Sequence, residues 1–344
     1  MKYGRIAVAA VAMAALLSSG SVANAQADPN WLGTTSSGLT AGLAEPQQLE
    51  IPLTYQYSNA SYGTGGVALR NRSEGYIQIS GVTGPTQAAY LYWAVLLSNP
   101  TQAQVNSVAS VQLQREYPMG VVGPTGSPIV PTEFLVGTLL NVGGDPCWGS
   151  TGTWVYRAVV STSLATGNGT YKVVIPPAAA GLTDGENPWG EKPVFPLWEG
   201  ASLVIVGQGS ANVGLLDGQA GTTFAYTYSN YYQLPATVAT GSQVLFDNFG
   251  YDGQISYGRI PTDTWETTIV TGIPSAITVV VAGPGGETGD SDWDGSAGWP
   301  LPQLWDDTRH FISNAFAPGD SSVFVQYYAS GDCVGTVGAV ISVK

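Results

Sequence analysis

Glycine and proline set the terms on which this chain can fold. The 344-residue sequence carries 45 glycines and 22 prolines, and they interrupt every stretch in which a helical period begins. In a helix interior a glycine costs about 1 kcal/mol and a proline about 3 kcal/mol relative to alanine. Between the interruptions lie short runs rich in β-branched and aromatic residues: 51–57, 76–80, 90–97, 111–115, 154–160, 171–175, 202–206, 222–228, 267–271, 277–281, 323–328 and 337–343. Each has the length of a strand and is bounded by turn-forming residues. Runs such as 76–79 alternate between faces. Leu203-Val-Ile-Val206 and Val279-Val-Val281 are apolar throughout, as expected of strands buried on both sides. The pattern predicts an all-β fold of one or two tightly packed, jelly-roll-like β-sandwich units, with almost no helix after the N-terminal segment.

That segment reads as an export signal. Lys2 and Arg5 precede an apolar run over 6–17, and Ala23-Asn-Ala25 presents small residues where a signal peptidase cuts. Cleavage is expected after Ala25, with Ala27 as the second choice. The apolar run falls short of the roughly 20 residues of a membrane span, and no other run approaches that length, so no span is expected in the mature chain. The chain then divides into a signal peptide (1–25), an N-terminal extension (26–50), a first sandwich unit (51–210) and a second (211–344) tied to it. The boundary is placed where Gly, Gln, Ser and Asn gather over 207–221. The location implied is extracellular or cell-surface, with the periplasm as an alternative.

Removing Lys2 and Arg5 leaves 9 of the 11 basic residues against 24 acidic ones. Such an excess argues against nucleic acid and anionic membrane surfaces as partners. It suits cation binding wherever carboxylates cluster. Cys147 and Cys333 are the only cysteines, and in an exported chain a pair most simply forms one disulfide.

The sharpest local motif is Gly289-Asp-Ser-Asp-Trp-Asp-Gly295. Asp290, Asp292 and Asp294 alternate and are followed by glycine, like the opening of a calcium loop. The twelfth position is Leu301, not glutamate, and no helices flank it, so this is not an EF-hand. A Ca2+ loop of another kind would be completed by Asp306 or Asp307; an acidic solvated turn is the plainer reading. Trp189, Trp293, Trp299 and Trp305 stand among Asp, Glu and Asn, as sugar-stacking aromatics do, or else they pin long loops to the sandwich. Trp198 and Glu199 stand in the same style. His310 is the only histidine, and no Gly-x-Ser-x-Gly elbow accompanies it, which disfavours a Ser-His-Asp triad. Asp247, Asp252 and Asp263 are carboxylates from which a glycosidase pair could be drawn.

Several core-strand segments occur together: 89–95 (AYLYWAV), 156–160 (YRAVV), 199–206 (EGASLVIV), 294–298, 304–306 and 331–333, followed by a closing apolar strand. In these the chain resembles a family of uncharacterised bacterial secreted β-sandwich domains (DUF3344-like) over most of its mature length. It departs from them at the short Gly-rich stretch 207–210. The resemblance implies a secreted or surface role in binding or structure and brings no catalytic residues. The combined expectation is a non-enzymatic secreted or surface protein with a binding or structural role, its candidate partners glycans or other surface proteins and its candidate cofactor Ca2+. The alternatives are a glycan-active hydrolase using paired carboxylates and a structural coat or matrix protein.

Overall fold

The computed structural model describes residues 52–70, 72–116, 130–144, 148–177, 179, 194–224, 227–251, 267–281, 305–328 and 333–344. The signal-like segment, Cys147, Trp189, Asp252, Asp263, Asp290, Asp292, Trp293, Asp294 and Trp299 lie outside the described residues. The described residues all belong to one compact unit, Gln47–Lys344.

Among the described residues, seventeen strands, one short α-helix and a single 3-10 turn at Ser313–Ala315 build it. In chain order they are β1 (Tyr55–Ala68), β2 (Glu74–Ile79), β3 (Thr86–Leu97), α1 (Gln102–Val108), β4 (Ser110–Glu116), β5 (Thr132–Val136), β6 (Thr138–Gly143), β7 (Gly152–Val159) and β8 (Gly169–Val174). There follow β9 (Leu197–Gln208), β10 (Ala211–Phe224), β11 (Thr227–Gln233), β12 (Val244–Tyr251), β13 (Thr267–Ile273), β14 (Thr278–Val280), β15 (Trp305–Phe311), β16 (Ser322–Tyr328) and β17 (Cys333–Val343). The all-β expectation holds, and every paired strand is antiparallel.

Three sheets form: one of nine strands, ordered β15-β12-β17-β10-β1-β9-β3-β7-β6, and two of four strands, β2-β8-β4-β5 and β11-β16-β13-β14. The long sheet folds back on itself. Its end strand β15 lies against β1 and β9, β12 against β9, β17 against β3, and β10 against β6 and β7. The bend sits where β1 passes from β10 to β9. Ala60 pairs with both Ala211 and Gln208, with a register shift just before it, and Asn59 takes φ 52°. The stretch where a unit boundary was expected, 207–221, is therefore strand on both sides of a corner, and the expected units 51–210 and 211–344 share one sheet. Strands that change layer through a bulge make corners of this kind.

The result is four layers with three apolar cores. Ile77, Val111, Leu113, Tyr171 and Val173 of one outer sheet face Leu91, Trp93 and Leu203 of the first limb of the long sheet. Val270, Val323 and Val325 of the other outer sheet face Phe246 and Ile341 of the second limb. Between the limbs lie Tyr62, Tyr92, Val204, Phe249, Trp305 and Val340. Burial follows from that order. β2 alternates between exposed and buried residues, whereas β9 is buried at every position from Leu197 to Gly207. The other run expected to be buried on both faces, 279–281, is different: β14 ends the second outer sheet, and Val280 is 37% exposed.

Packing two sheet faces around large aromatics requires gaps, and glycines supply them. A Cβ on Gly200 would stand 2.4 Å from Cδ2 of Trp305 and one on Gly66 2.8 Å from its Nε1. The indole lies across both strands, donating to Ser202 Oγ at 3.1 Å.

Candidate functional site

The polar side chains gathered between the two limbs come from three strands read at every second residue. On β15, Trp305, Asp307 and Arg309 share one face; on β1, Tyr62, Thr64 and Gly66 oppose them. From β12, Asp247 enters as the cross-strand neighbour of Arg309, the placement in which opposite charges reinforce a sheet.

Asp247 is fully buried and saturated with donors. Its Oδ1 accepts from Thr64 Oγ1 at 2.8 Å and from Arg309 Nε at 2.9 Å, while Oδ2 accepts from the Tyr62 hydroxyl and from Arg309 Nε at 3.2 Å. The Arg309 guanidinium lies over the Tyr62 ring, 4.7 Å from its centroid. Burial pushes the Asp247 carboxyl up against the pull of Arg309, Tyr62 and Thr64. Burial also pushes Asp307 up, to about 7, with the neighbouring Asp247 adding to the effect and Ser202, Thr64 and Arg309 opposing it. Among the described residues, Oδ2 of Asp307 has no hydrogen-bond partner. Arg309 binds Asp247 directly and favours its anion, whereas Asp307 lacks a direct ion pair of this kind among the described residues and is pushed to about 7.

This cluster lies beneath an open pocket of about 310 Å3, lined by residues on both sides of the bend. β1 contributes Ala60 to Tyr62, the β2–β3 connection Gly81 and Thr83, and the β9–β10 corner Gly209 to Ala211. Gln243, Leu245, Arg309, Ser342 and Lys344 complete it. Arg309 and Tyr62 thus form both the floor of the pocket and the roof of the carboxylate cluster. The rim is hydrogen-bonded into place: Ser61 Oγ donates to Gln208 O at 2.9 Å and accepts from Thr83 N at 2.8 Å, and Thr83 Oγ1 donates to Gln208 O at 2.9 Å.

At another edge of the same inner layer, Tyr55 stacks on Tyr90 with centroids 4.7 Å apart, and Tyr57 and Tyr90 share a 2.6 Å hydroxyl contact. Arg157 lies over Tyr55 and pairs with Asp217, which also accepts from Tyr92 OH at 2.8 Å. These aromatics are bound up with one another.

Of the residues singled out from sequence, Trp305 is a core residue, fully buried, and shows no face to solvent. Asp306 is fully buried on the opposite side of β15 from Asp307 and Arg309. Trp198 is 2% exposed and donates to Ala179 O at 2.7 Å, and Glu199 forms a buried ion pair with Arg70, which lies over Trp148 at 4.4 Å. Among the described residues no three His, Cys, Asp or Glu side chains converge to hold a metal, and Asp290, Asp292 and Asp294 lie outside them. Among the described residues, too, no helix is long and apolar enough to cross a membrane. Asp247 and Asp307 were visible as candidate carboxylates, but Tyr62, Arg309 and the pocket were not. A Trp-x-Asp-x-Arg alternation opposite a Tyr-x-Thr-x-Gly alternation is the signal that could have found them.

No protein-family model and no curated protein matches the chain. Solved structures with a likeness to it include N-glycanase F (PNGase F), at 13% identity over 83% of this chain and 96% of that one, with a TM-score of 0.23. A second PNGase F structure, described as a glycosylasparaginase from Flavobacterium meningosepticum, gives 12% identity over 86% and 93%, with a TM-score of 0.22. The infectious bursal disease virus VP2 subviral particle gives 11% identity over 88% and 74%, with a TM-score of 0.23. Similarity at this level identifies no relative, and no functional reading rests on it.

Proposed function

We propose that this is an exported, non-enzymatic protein of the cell surface or surroundings that binds glycans. The observation that carries the reading is the pocket at the sheet bend. It is concave, held by backbone and hydroxyl hydrogen bonds, and lined by Ser61, Thr83, Ser210, Gln243 and Ser342 beside the ring of Tyr62 and the guanidinium of Arg309. Its volume lies at the lower end of the roughly 300–1,000 Å3 of small-molecule sites. Small hydroxylic side chains with one aromatic and one fixed charge suit a polyhydroxylated ring. The signal-like N-terminus and the scarcity of charged residues support the location. Aspartates 290–294 remain a proposed Ca2+ site, and Cys147–Cys333 a proposed disulfide.

One observation favours a hydrolase instead. Asp247 and Asp307 are neighbouring carboxyls in different surroundings, Asp247 bound to Arg309 and Asp307 pushed up to about 7, and carboxyls set in unlike surroundings can act as acid and as base or nucleophile. Their position behind Arg309 and Tyr62, rather than on the pocket wall, weighs against it.

Glycan-array screening of the mature protein, followed by titration calorimetry with the best glycan, tests the reading. Ser210→Trp, which fills the pocket from an exposed corner, is expected to abolish binding while leaving the melting temperature unchanged. Undiminished binding by Ser210→Trp would remove the pocket as the site. Turnover of the bound glycan would replace the binding reading with the hydrolytic one.

A further inference from the structure

The pocket stands apart from the chain's overall charge. The sequence has 24 acidic residues against 11 basic ones, yet the pocket lining contains two basic side chains, Arg309 and Lys344, and no aspartate or glutamate. Lys344 is exposed, whereas the Arg309 side chain is held in place against Asp247, and recognition falls to Arg309. A guanidinium offers five N–H donors in a planar fork. Here Nε is used up on Asp247 at 2.9 Å, and the plane is fixed by the Tyr62 ring below it. Among the described residues, the hydrogen bonds of Arg309 are made through Nε and its ring contact through its face, which leaves the end-on edge, Nη1 and Nη2, as hydrogen-bonding surface without a described partner.

The neighbouring backbone is shaped around that edge. Gly81, at φ 90°, lies where a Cβ would come within 3.1 Å of Arg309 Nη1 and 2.9 Å of Tyr62 O. Any other residue there would meet both the positive φ and this crowding. An arginine pinned from behind loses little conformational freedom on binding. Two parallel N–H donors match the two oxygens of a planar carboxylate and match a single hydroxyl poorly.

We infer that the pocket recognises a carboxylate-bearing saccharide, a hexuronate or similar acidic sugar, whose carboxylate docks end-on against Nη1 and Nη2 of Arg309. The inference rests on the glycan-binding reading and narrows its ligand class. The protein's overall negative charge opposes such ligands at long range. Recognition is therefore local and directional, and added salt, by screening that repulsion, weakens binding less than it would at a basic surface.

The test compares four probes by NMR titration of the mature protein: methyl glucuronide, methyl glucoside, glucose 6-sulfate and propionate. Methyl glucuronide is expected to bind at least tenfold more tightly than methyl glucoside. Arg309→Lys should erase most of that preference, because a point charge does not reproduce the fork. Simple truncation at Arg309 would strand buried Asp247, so the second variant is Arg309→Gln combined with Asp247→Asn, which keeps the cross-strand pair neutral and hydrogen-bonded. It should bind the two glycosides equally. Equal binding of the two glycosides by the wild type would overturn the carboxylate inference and leave glycan binding standing. Tighter binding of glucose 6-sulfate than of the glucuronide would overturn the planar fork in favour of a tetrahedral anion. Propionate binding as well as the glucuronide would keep the carboxylate site and remove the glycan. If no probe bound, both readings would fall.

Discussion

Asp307 makes the inner layer sensitive to pH, and removing its charge should show by how much. Its carboxyl is pushed from an ordinary 3.8 to about 7 because burial disfavours the anion beside Asp247. The folded state therefore holds a proton that the unfolded state has already released. Where the folded state binds more protons, stability falls as pH rises. The contribution of this group is fully present below pH 4 and is lost as pH passes through about 7. At about 1.36 kcal/mol per pH unit, the whole span amounts to about 4 kcal/mol. Linkage places about 3 kcal/mol of it between pH 5 and pH 8. Asp307→Asn keeps the shape and cannot ionise. Urea unfolding of wild type and variant at pH 5, 6, 7 and 8 should give two curves whose separation changes by about 3 kcal/mol across the series, the variant gaining on the wild type at each step. All other titrating groups are common to both proteins and cancel in the difference. A separation that stays constant within about 0.5 kcal/mol from pH 5 to pH 8 would mean that Asp307 ionises freely in the folded protein.

Other expectations follow from the same packing. Glu199→Ala should destabilise the fold by about 3–5 kcal/mol in denaturant titrations, because it breaks a buried ion pair; a loss under 1 kcal/mol would mean that the pair contributes little. Gly200→Ala puts a methyl 2.4 Å from the Trp305 ring and 2.6 Å from Val67 O, and should cost about 1–3 kcal/mol or more with a change in tryptophan fluorescence, whereas an unshifted melt would contradict that packing. Asp320 accepts from Ser275 Oγ at 2.5 Å, Ser275 N at 2.8 Å and Ala317 N at 2.9 Å. Burial opposes its ionisation, but these donors outweigh it and hold the carboxyl below its usual value. Its contribution to stability is therefore lost as pH falls through that lowered value, and Asp320→Asn should flatten the acid limb of the melting curve. For the aspartate loop, the melting temperature should rise in millimolar Ca2+ relative to EDTA, and Asp292→Ala should erase the difference; equal melts would reduce the loop to an acidic turn.

The strands were legible where their surroundings are simple. In β2, Ile77 and Ile79 face a core and Glu74, Tyr76 and Gln78 face water, so alternation alone identifies it. In β9 both faces are apolar because both are covered. β12 and β15 escaped because VLFDNFGY and WDDTRHF carry charges that usually mark loops. They are strands because Asp247 and Arg309 neutralise each other across the sheet, in a register that local sequence does not encode. The helix α1 had a readable start in Thr101-x-x-Gln104, a capping box formed in full, but seven residues are too few to show a period. The stretch 207–221 reads as a unit boundary because its glycines mark a sharp backbone change, and composition cannot tell a corner within a sheet from a break between domains. The same limit applies to Trp305: aromatics beside acids mark sugar sites, and they also mark large rings fitted over glycines. Only Gly66 and Gly200, more than a hundred residues apart in sequence, tell the two cases apart.

Ligand entry at the bend of the long sheet, over Arg309, can be read by hydrogen–deuterium exchange of the mature protein with and without a saturating acidic glycan. Ligand-dependent protection is expected in peptides covering 60–62, 81–83, 208–211 and 307–310, with the rest of the molecule unchanged. Protection confined to the Trp- and Asp-rich stretch 289–301, with the pocket peptides unaffected, would contradict it.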